Sequence, residues 1–336
     1  MNGVQATLLA LQNIAAQKIL VVNAPADGAF MGWLKSQDAQ AQIVQPFYPA
    51  AEYYSADFEV VPRLEAVEGA YDLAIVFFPK NKVEGHYALA RAFAHLEIGG
   101  TLMTAAANKE GGTRLKKLMQ AMSLDMISDI SKNKAKALRG VKPEGSAAPQ
   151  DWIDDGAVRA VSAHDFMTQA GLYGWNKIDK GSQLLLERLP LDLKGRGADF
   201  GCGYGLIARH VLEKNPNVKL MHVMDADARA VEICTDNLAV YKDRVQAKYC
   251  DLTRPQDHLR NLDFIVMNPP FHEGKKTDFS IGLGFIKSSA AALSPRGVLY
   301  VVANAHLPYE DLLQAEFKTV EKLHEGGGFK VFTAHK

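Results

Sequence analysis

Short apolar runs alternate along this chain with stretches whose apolar positions return at helical spacing. Strand candidates in the first half are "KILVVNA" (Lys18–Ala24), "YDLAIVFFP" (Tyr71–Pro79) and "GTLMTAAA" (Gly100–Ala107). The second half offers "GADFGCG" (Gly197–Gly203), "KLMHVMD" (Lys219–Asp225), "VQAKYC" (Val245–Cys250), "LDFIVMNPP" (Leu262–Pro270) and "GVLYVVAN" (Gly297–Asn304). Strands separated by helical patterns predict βαβ units and a mostly parallel sheet. At the N-terminus Leu8, Leu9, Leu11, Ile14 and Ile19 recur at roughly helical spacing and predict an amphipathic helix.

The two halves share a pattern. From Tyr71 to Asn108, and again from Leu262 to Asn304, the chain reads Asp, strand, proline turn, helix, glycine, strand, Asn. An internal duplication of one α/β domain accounts for this, although any two doubly wound domains share part of it. The 336 residues suffice for two domains. The join falls near "KPEGSAAPQDW" (Lys142–Trp152), where Pro, Gly, Ser and Ala replace periodic apolar residues. The expected division is therefore residues 1–145, a linker 146–165, and residues 166–336. Just before the join, Lys132, Lys134, Lys136, Arg139 and Lys142 form a basic run. Such a run is a solvated face or a phosphate-contacting patch.

Composition narrows the class. Hydrophobic residues make up 48% and charged residues 23%, as in a globular protein. Lys plus Arg equals Asp plus Glu at 38 each, so any grip on a polyanion must be local. The three cysteines, Cys202, Cys234 and Cys250, lack metal-ligand spacing, and no metal is expected. Their odd number suits a reducing compartment. The N-terminus lacks a signal-peptide pattern and no stretch is apolar for long enough to span a bilayer, so a cytoplasmic protein is expected.

The chemistry gathers in the second half. In "ADFGCGYGLIARHVLEK" a strand ends near Asp199, and Gly201, Gly203 and Gly205 precede a helical pattern beginning at Leu206. Glycines there allow a tight turn and close backbone approach to a ligand at a helix start. Leu206 stands where the dinucleotide fingerprint has its third glycine, which counts against a nicotinamide or flavin enzyme. About twenty residues on, Asp225 can accept both hydroxyls of a ribose. Asp251, with Leu252, closes the following strand where a carboxylate can accept from an adenine amino group. Each acid alone is what strand ends and turns often carry. Their order behind successive strands points to a nucleoside without a pyrophosphate. Finally, the apolar strand Phe264–Met267 stops on Asn268-Pro269-Pro270-Phe271. Proline holds its own φ and pushes the preceding residue extended, so this turn can fix acceptors in one orientation beside an aromatic ring.

These motifs together resemble class I S-adenosylmethionine-dependent methyltransferases of the amino-group type. "GSQLLLERL" (Gly181–Leu189), "NPPFHEG", "VANAHLPYEDLL" (Val302–Leu313) and "GGGFKVFTA" (Gly326–Ala334) resemble more narrowly the bacterial ribosomal RNA guanine-N2 methyltransferases, small-subunit (16S, RsmC-like) branch. The specific likeness runs from Gly171 to the C-terminus. It implies two tandem Rossmann-like α/β domains with mostly parallel seven-stranded sheets and helices on both faces. The first is implied to be a decayed copy without a cofactor site, carrying "VNAPADGAF" (Val22–Phe30) and Phe77-Phe78-Pro79-Lys80 where the second has glycines and Asn-Pro-Pro-Phe. Implied cofactor contacts are Asp199, Gly201, Cys202, Gly203, Gly205, Asp225, Ala226, Asp251, Leu252 and Asn268. Implied catalytic residues are Asn268, Pro269, Pro270 and Phe271, with 16S rRNA or the small ribosomal subunit as partner and a monomeric enzyme.

In that chemistry the Asn268 side-chain oxygen and the Pro269 carbonyl would pull on the two hydrogens of a delocalised purine amine and aim its lone pair at the methyl group. Phe271 would offer a stacking face, worth roughly 1–3 kcal/mol per base, to a base that must be unpaired or flipped out. No strong base is needed before transfer. His272 and His306 have no second ligand at helical spacing and are read as polar mouth residues, and Cys202 as a small apolar turn residue. Lys275 and Lys276 belong to a solvated loop or meet RNA phosphates. Tyr173 or Trp175, in the lead-in segment Gly171–Leu185, is placed near the target base.

Competing readings are transfer to large-subunit rRNA, transfer to a glutamine amide of a translation factor, and an RNA chaperone with a relic pocket. The glutamine enzymes share the Asn-Pro-Pro motif but usually carry a small helical accessory domain.

Overall fold

The computed structural model describes residues 2–160, 165–270 and 276–336. The chain divides into two compact units, Met1–Val158 with Gln169–Gly171, and Arg159–Thr168 with Leu172–Lys336.

The first unit holds strands β1 (Lys18–Val22), β2 (Gln40–Val44), β3 (Glu59–Val61), β4 (Tyr71–Phe77), β5 (Leu96–Ala107), β6 (Asp125–Lys132) and β7 (Ala135–Val141). Its helices are α1 (Asn2–Ala10), α2 (Gly28–Lys35), α3 (Tyr48–Ser55), α4 (Lys82–Ala94), α5 (Leu115–Ala121) and α6 (Gln150–Gly156). The strands line up as β3-β2-β1-β4-β5-β7-β6, parallel except at β7. Side chains alternate faces along a strand. Ile19 and Val21 therefore join the core built with α1 and α2, while Leu20 and Val22 join the core under α4 and α5. This is why β1 reads as unbroken apolar sequence rather than an alternation.

The second unit repeats the design. A short hairpin of β8 (Arg159–Ala160) and β9 (Met167–Thr168) precedes the sheet. The sheet strands are β10 (Gly195–Phe200), β11 (Val218–Asp225), β12 (Val245–Tyr249), β13 (Leu262–Met267), β14 (Leu293–Asn304), β15 (Thr319–Gly326) and β16 (Phe329–His335). They line up as β12-β11-β10-β13-β14-β16-β15, the order of the first sheet. Helices α7 (Lys180–Leu186), α8 (Leu206–Lys214) and α9 (Ala228–Asn237) cover the face carrying Phe264 and Val266; α10 (Lys276–Ala292) and α11 (Tyr309–Glu316) cover the face carrying Ile265 and Met267.

These elements correct the extent of the N-terminal helix and place the basic run. The N-terminal helix stops at Ala10 because Asn13 takes a left-handed turn (φ 60°), and Ile19 belongs to β1. The basic run before the join is the β6–β7 hairpin, closed by Asn133 and Lys134 at φ 51° and 61°, the backbone that tight hairpins demand. The Pro/Gly/Ser-rich stretch ends in the first turn of α6, whose Trp152 stacks on His86 with ring centroids 4.4 Å apart.

Candidate active site

The second sheet reverses direction between β10 and β13, and in open α/β sheets ligands sit beyond the carboxyl ends at that point. Phe200 pairs with Met267, so the Gly201 turn and Asn268 emerge side by side. Phe200 also pairs with Met224, and Asp225 with Tyr249, which brings Asp225 and the Asp251 turn to the same edge.

The glycine turn needs its glycines for backbone reasons. Gly201, Gly203 and Gly205 have φ of 79°, 53° and 95°, where side-chain-bearing residues are strained. The Gly201 and Cys202 N–H groups donate to the Met224 carbonyl at 2.8 and 3.0 Å, and the Gly203 N–H donates to Asp225 Oδ2 at 2.9 Å. At Gly205 a Cβ would also fall 2.9 Å from Cys234 Sγ. Cys202 is buried, and its neighbour Cys234, then burial, push its thiol well above the ordinary range. A thiol held protonated is a poor nucleophile.

Two acids back this turn. Asp199 is fully buried; its Oδ2 accepts from the Ala208 N–H at 3.1 Å, while Oδ1 has no partner among the described residues. Burial pushes this carboxyl up to about 8, with the charge of Asp225 adding to the effect. Asp225 is pushed up to about 6 by burial, against the pull of N–H donors from Asp227 and Gly203. Ala226 lies half-buried beside it. Asp251 is engaged within its own turn, accepting from Thr253 N and Oγ1 at 2.9 and 2.6 Å and from Arg254 Nε at 3.0 Å. Leu252 is buried next to it.

Asn268 is held from α7. Its Nδ2 donates to Asp179 Oδ2 at 3.0 Å and to Ser182 Oγ at 2.8 Å, so Oδ1 is the end turned away from the carboxylate. Asp179 also caps α7 by accepting from the Ser182 N–H at 2.9 Å, and its Oδ1 accepts from the Tyr173 hydroxyl at 2.7 Å. Gly181 gives this cluster room, since a Cβ there would lie 2.9 Å from the Phe329 ring and 3.0 Å from Asp179 Oδ2. Pro269 is buried and Pro270 exposed. Asp179 and Ser182 were not assigned roles from the sequence, although Asp just ahead of a helical pattern is a capping signal for Asp179.

Other expected residues fall as follows. Tyr173 meets the Asn268 side chain directly and also through Asp179, whereas Trp175 sits under the Arg159 guanidinium at 5.6 Å. His306 is exposed. Phe271, His272 and Lys275 lie outside the described residues, as does the Lys276 side chain. No cluster of metal-ligating side chains occurs among the described residues.

The first unit treats its equivalent edge differently. The loop after β1 is tied down by Gln45, whose Nε2 donates to the Ala24 carbonyl at 2.7 Å, and by the buried Tyr54, whose hydroxyl donates to the Pro25 carbonyl. Phe78, after β4, packs so closely on α4 that a Cβ on Gly85 would meet its ring at 2.2 Å.

A doubly wound sheet with a glycine turn, a buried acid behind it and an Asn-Pro-Pro turn beside it is the architecture of a class I methyltransferase. Matches to known proteins agree. Residues 163–333 match the family described as "Methyltransferase small domain", and residues 5–130 match "Methyltransferase small domain N-terminal". The "Ribosomal RNA small subunit methyltransferase C" of Shewanella loihica is 33% identical over 79% of this chain and 78% of its own. The protein of that name from Shewanella baltica is 30% identical over 98% of each chain. In fold, the solved T. thermophilus 16S rRNA N2 G1207 methyltransferase (RsmC), in complex with AdoMet and guanosine, is similar at TM-score 0.82 and 24% identity, covering 98% of this chain and 91% of that one. This chain belongs to the ribosomal RNA small subunit methyltransferase C family.

Proposed function

We propose that this chain transfers the methyl group of S-adenosylmethionine to the exocyclic N2 of a guanine in 16S rRNA, acting on the rRNA or on the small subunit. The observation that carries this reading is the placement of Asn268 beside the glycine turn, its Nδ2 tied to two acceptors and its Oδ1 presented as an acceptor.

The residues fit the cofactor. Asp199 Oδ1 is a buried acceptor without a partner among the described residues, suited to a ligand bearing an ammonium group, and Asp225 keeps lone pairs for ribose hydroxyls. Among the described residues, nothing fills the space where a side chain at Gly203 would stand. Leu252 would supply apolar contact to the adenine. When bound, S-adenosylmethionine supplies a methyl group activated by its positive sulfur.

The protein's own part is positioning. Asn268 Oδ1 and the Pro269 carbonyl accept the two amine hydrogens, draw the nitrogen out of conjugation and aim its lone pair. Pro269 and Pro270 keep both acceptors from relaxing. The proton leaves once the nitrogen carries positive charge, so a strong base is not needed. Orienting two reactants in a closed site accounts for most of the expected rate. Phe271 stacks on the base.

We assign the first unit to holding the second in shape or gripping RNA, and not to binding cofactor, its loop after β1 being tied down by Gln45 and Tyr54. A second α/β unit, in place of a small helical accessory domain, favours rRNA over a glutamine amide. The enzyme acts in the cytoplasm, where ribosomes assemble, and as a monomer. No helix among the described residues is long and apolar enough to cross a membrane.

The test is transfer of tritium from labelled S-adenosylmethionine to undermethylated small subunits, to naked 16S rRNA and to 23S rRNA, followed by nucleoside analysis. Label in N2-methylguanosine of 16S rRNA is expected. Label in any other nucleoside, or only in 23S rRNA, refutes the assignment.

A further inference from the structure

We infer that Asp179 and Ser182 are positioning residues that decide which end of the Asn268 amide meets the target base. This rests on the guanine-N2 reading above and extends it to two residues that touch neither reacting atom.

A primary amide side chain has two ends of similar shape and opposite hydrogen-bonding character. An Asn268 turned over would present Nδ2 to the target amine, donor against donor, and the lone pair would no longer be drawn out. Rotation about the Cβ–Cγ bond is soft, so packing alone selects poorly between the two orientations. The neighbours of Nδ2 make the selection chemically. Asp179 Oδ2 at 3.0 Å is a carboxylate oxygen and can only accept; Ser182 Oγ at 2.8 Å takes the second amide hydrogen. In the reversed orientation Asn268 Oδ1 would face the carboxylate, acceptor against acceptor, at hydrogen-bond distance.

The two selectors are themselves held. Asp179 Oδ2 accepts from the Ser182 N–H at 2.9 Å, which fixes the carboxylate to the first turn of α7. Its Oδ1 accepts from the Tyr173 hydroxyl at 2.7 Å, which fixes the plane of the carboxylate from the other side. Ser182 is buried on a helix anchored in the core by Leu185. The acceptor pair therefore comes from a rigid element and not from the turn that carries Asn268.

Three variants separate positioning from capping and from base catalysis. Ser182→Ala removes one acceptor and leaves the backbone N–H and the cap in place; kcat should fall by about 3- to 10-fold. Asp179→Ala removes the other, with an expected fall of about 10- to 100-fold, the scale of a misplaced reacting group. KM for rRNA and Kd for S-adenosylmethionine should stay within about 3-fold in both variants if, as for other groups acting only in the transition state, ground-state binding is untouched. Asp179→Asn keeps an acceptor oxygen towards Asn268 without charge and should restore kcat to within about 3-fold of wild type if positioning is the role. An Asp179→Asn variant as slow as Asp179→Ala overturns positioning in favour of a base. Undiminished kcat in both alanine variants overturns the inference outright.

A second measurement is independent of turnover. In protein labelled with 15N-asparagine, the Asn268 side-chain amide is assigned by its disappearance in Asn268→Asp. Its hydrogens should exchange at least about 10-fold faster in the Ser182→Ala, Asp179→Ala double variant, since protection follows from hydrogen bonding. Unchanged exchange counts against the inference even if activity falls. A wild-type enzyme that labels no N2-methylguanosine refutes the function itself, an outcome distinct from either of these.

Discussion

Replacing Asp199 by Asn should change how stability depends on pH. The carboxyl is fully buried, accepts one hydrogen bond from Ala208 and is pushed from 3.8 in the unfolded chain up to about 8. Between those values the folded state holds a proton that the unfolded state has released, so stability falls as pH rises. The slope approaches 1.4 kcal/mol per pH unit and flattens above about pH 8 and below about pH 4. Asp225, pushed up to about 6, contributes a similar slope only below that pH. From pH 6 to pH 8 the cofactor-free wild type should thus lose on the order of 2–3 kcal/mol through Asp199 alone, a drop of several degrees in Tm for a unit of this size. Asn keeps the acceptor for Ala208 and resembles the neutral acid. Asp199→Asn should match wild type near pH 4 within about 1 kcal/mol and exceed it progressively towards pH 8, by about 2 kcal/mol already at pH 5.5. Differential scanning calorimetry of both proteins, without cofactor, in half-unit steps provides the assay. Taking the difference between them cancels the other titrating groups. Parallel curves for the two proteins would show that Asp199 is ionised in the folded chain throughout, and the account of a buried acid awaiting a cationic ligand would fail.

Three further outcomes follow from the same geometry. Asn268→Ala should lower kcat by roughly 100- to 1,000-fold, the size seen when a positioned transition-state group is lost, while calorimetric affinity for S-adenosylmethionine stays within about 3-fold; a variant keeping a tenth of the wild-type rate removes Asn268 from the chemistry. Asp225→Ala deprives the Gly203 and Asp227 N–H groups of their acceptor, and should weaken cofactor binding at least about 100-fold; binding within tenfold of wild type places the ribose elsewhere. Because Gln45, Tyr54 and Phe78 occupy the corresponding edge of the first unit, titration of wild type with S-adenosylmethionine should give one site per chain; a second site of similar affinity contradicts that account.

Much of this protein was legible in one dimension. Strands buried on both faces, such as β1, β4, β13 and β14, announce themselves as apolar runs bounded by Gly, Pro and Asn, so the repeated α/β plan could be read directly. The glycine turn was legible because positive φ at Gly201, Gly203 and Gly205 restricts the residue type itself. Asn-Pro-Pro was legible because proline constrains φ locally. Less visible were β2, β3 and β6, whose half-exposed positions dilute the apolar signal, and the hairpin at Asn133-Lys134, which carries no glycine to mark it.

What local sequence determined was therefore backbone: where strands run, where the chain turns and which residues the turns demand. Only tertiary structure decided which of those turns share one sheet edge. It set β10 against β13, and it brought Asp179, which caps α7, and Ser182 within that helix to within 3.0 Å of Asn268. Burial of Asp199, and with it the shift of its carboxyl to about 8, likewise arises only when β10 is covered by α8. The reason is physical: φ preferences act over one or two residues, whereas desolvation and the orientation of an amide depend on groups that folding alone makes neighbours.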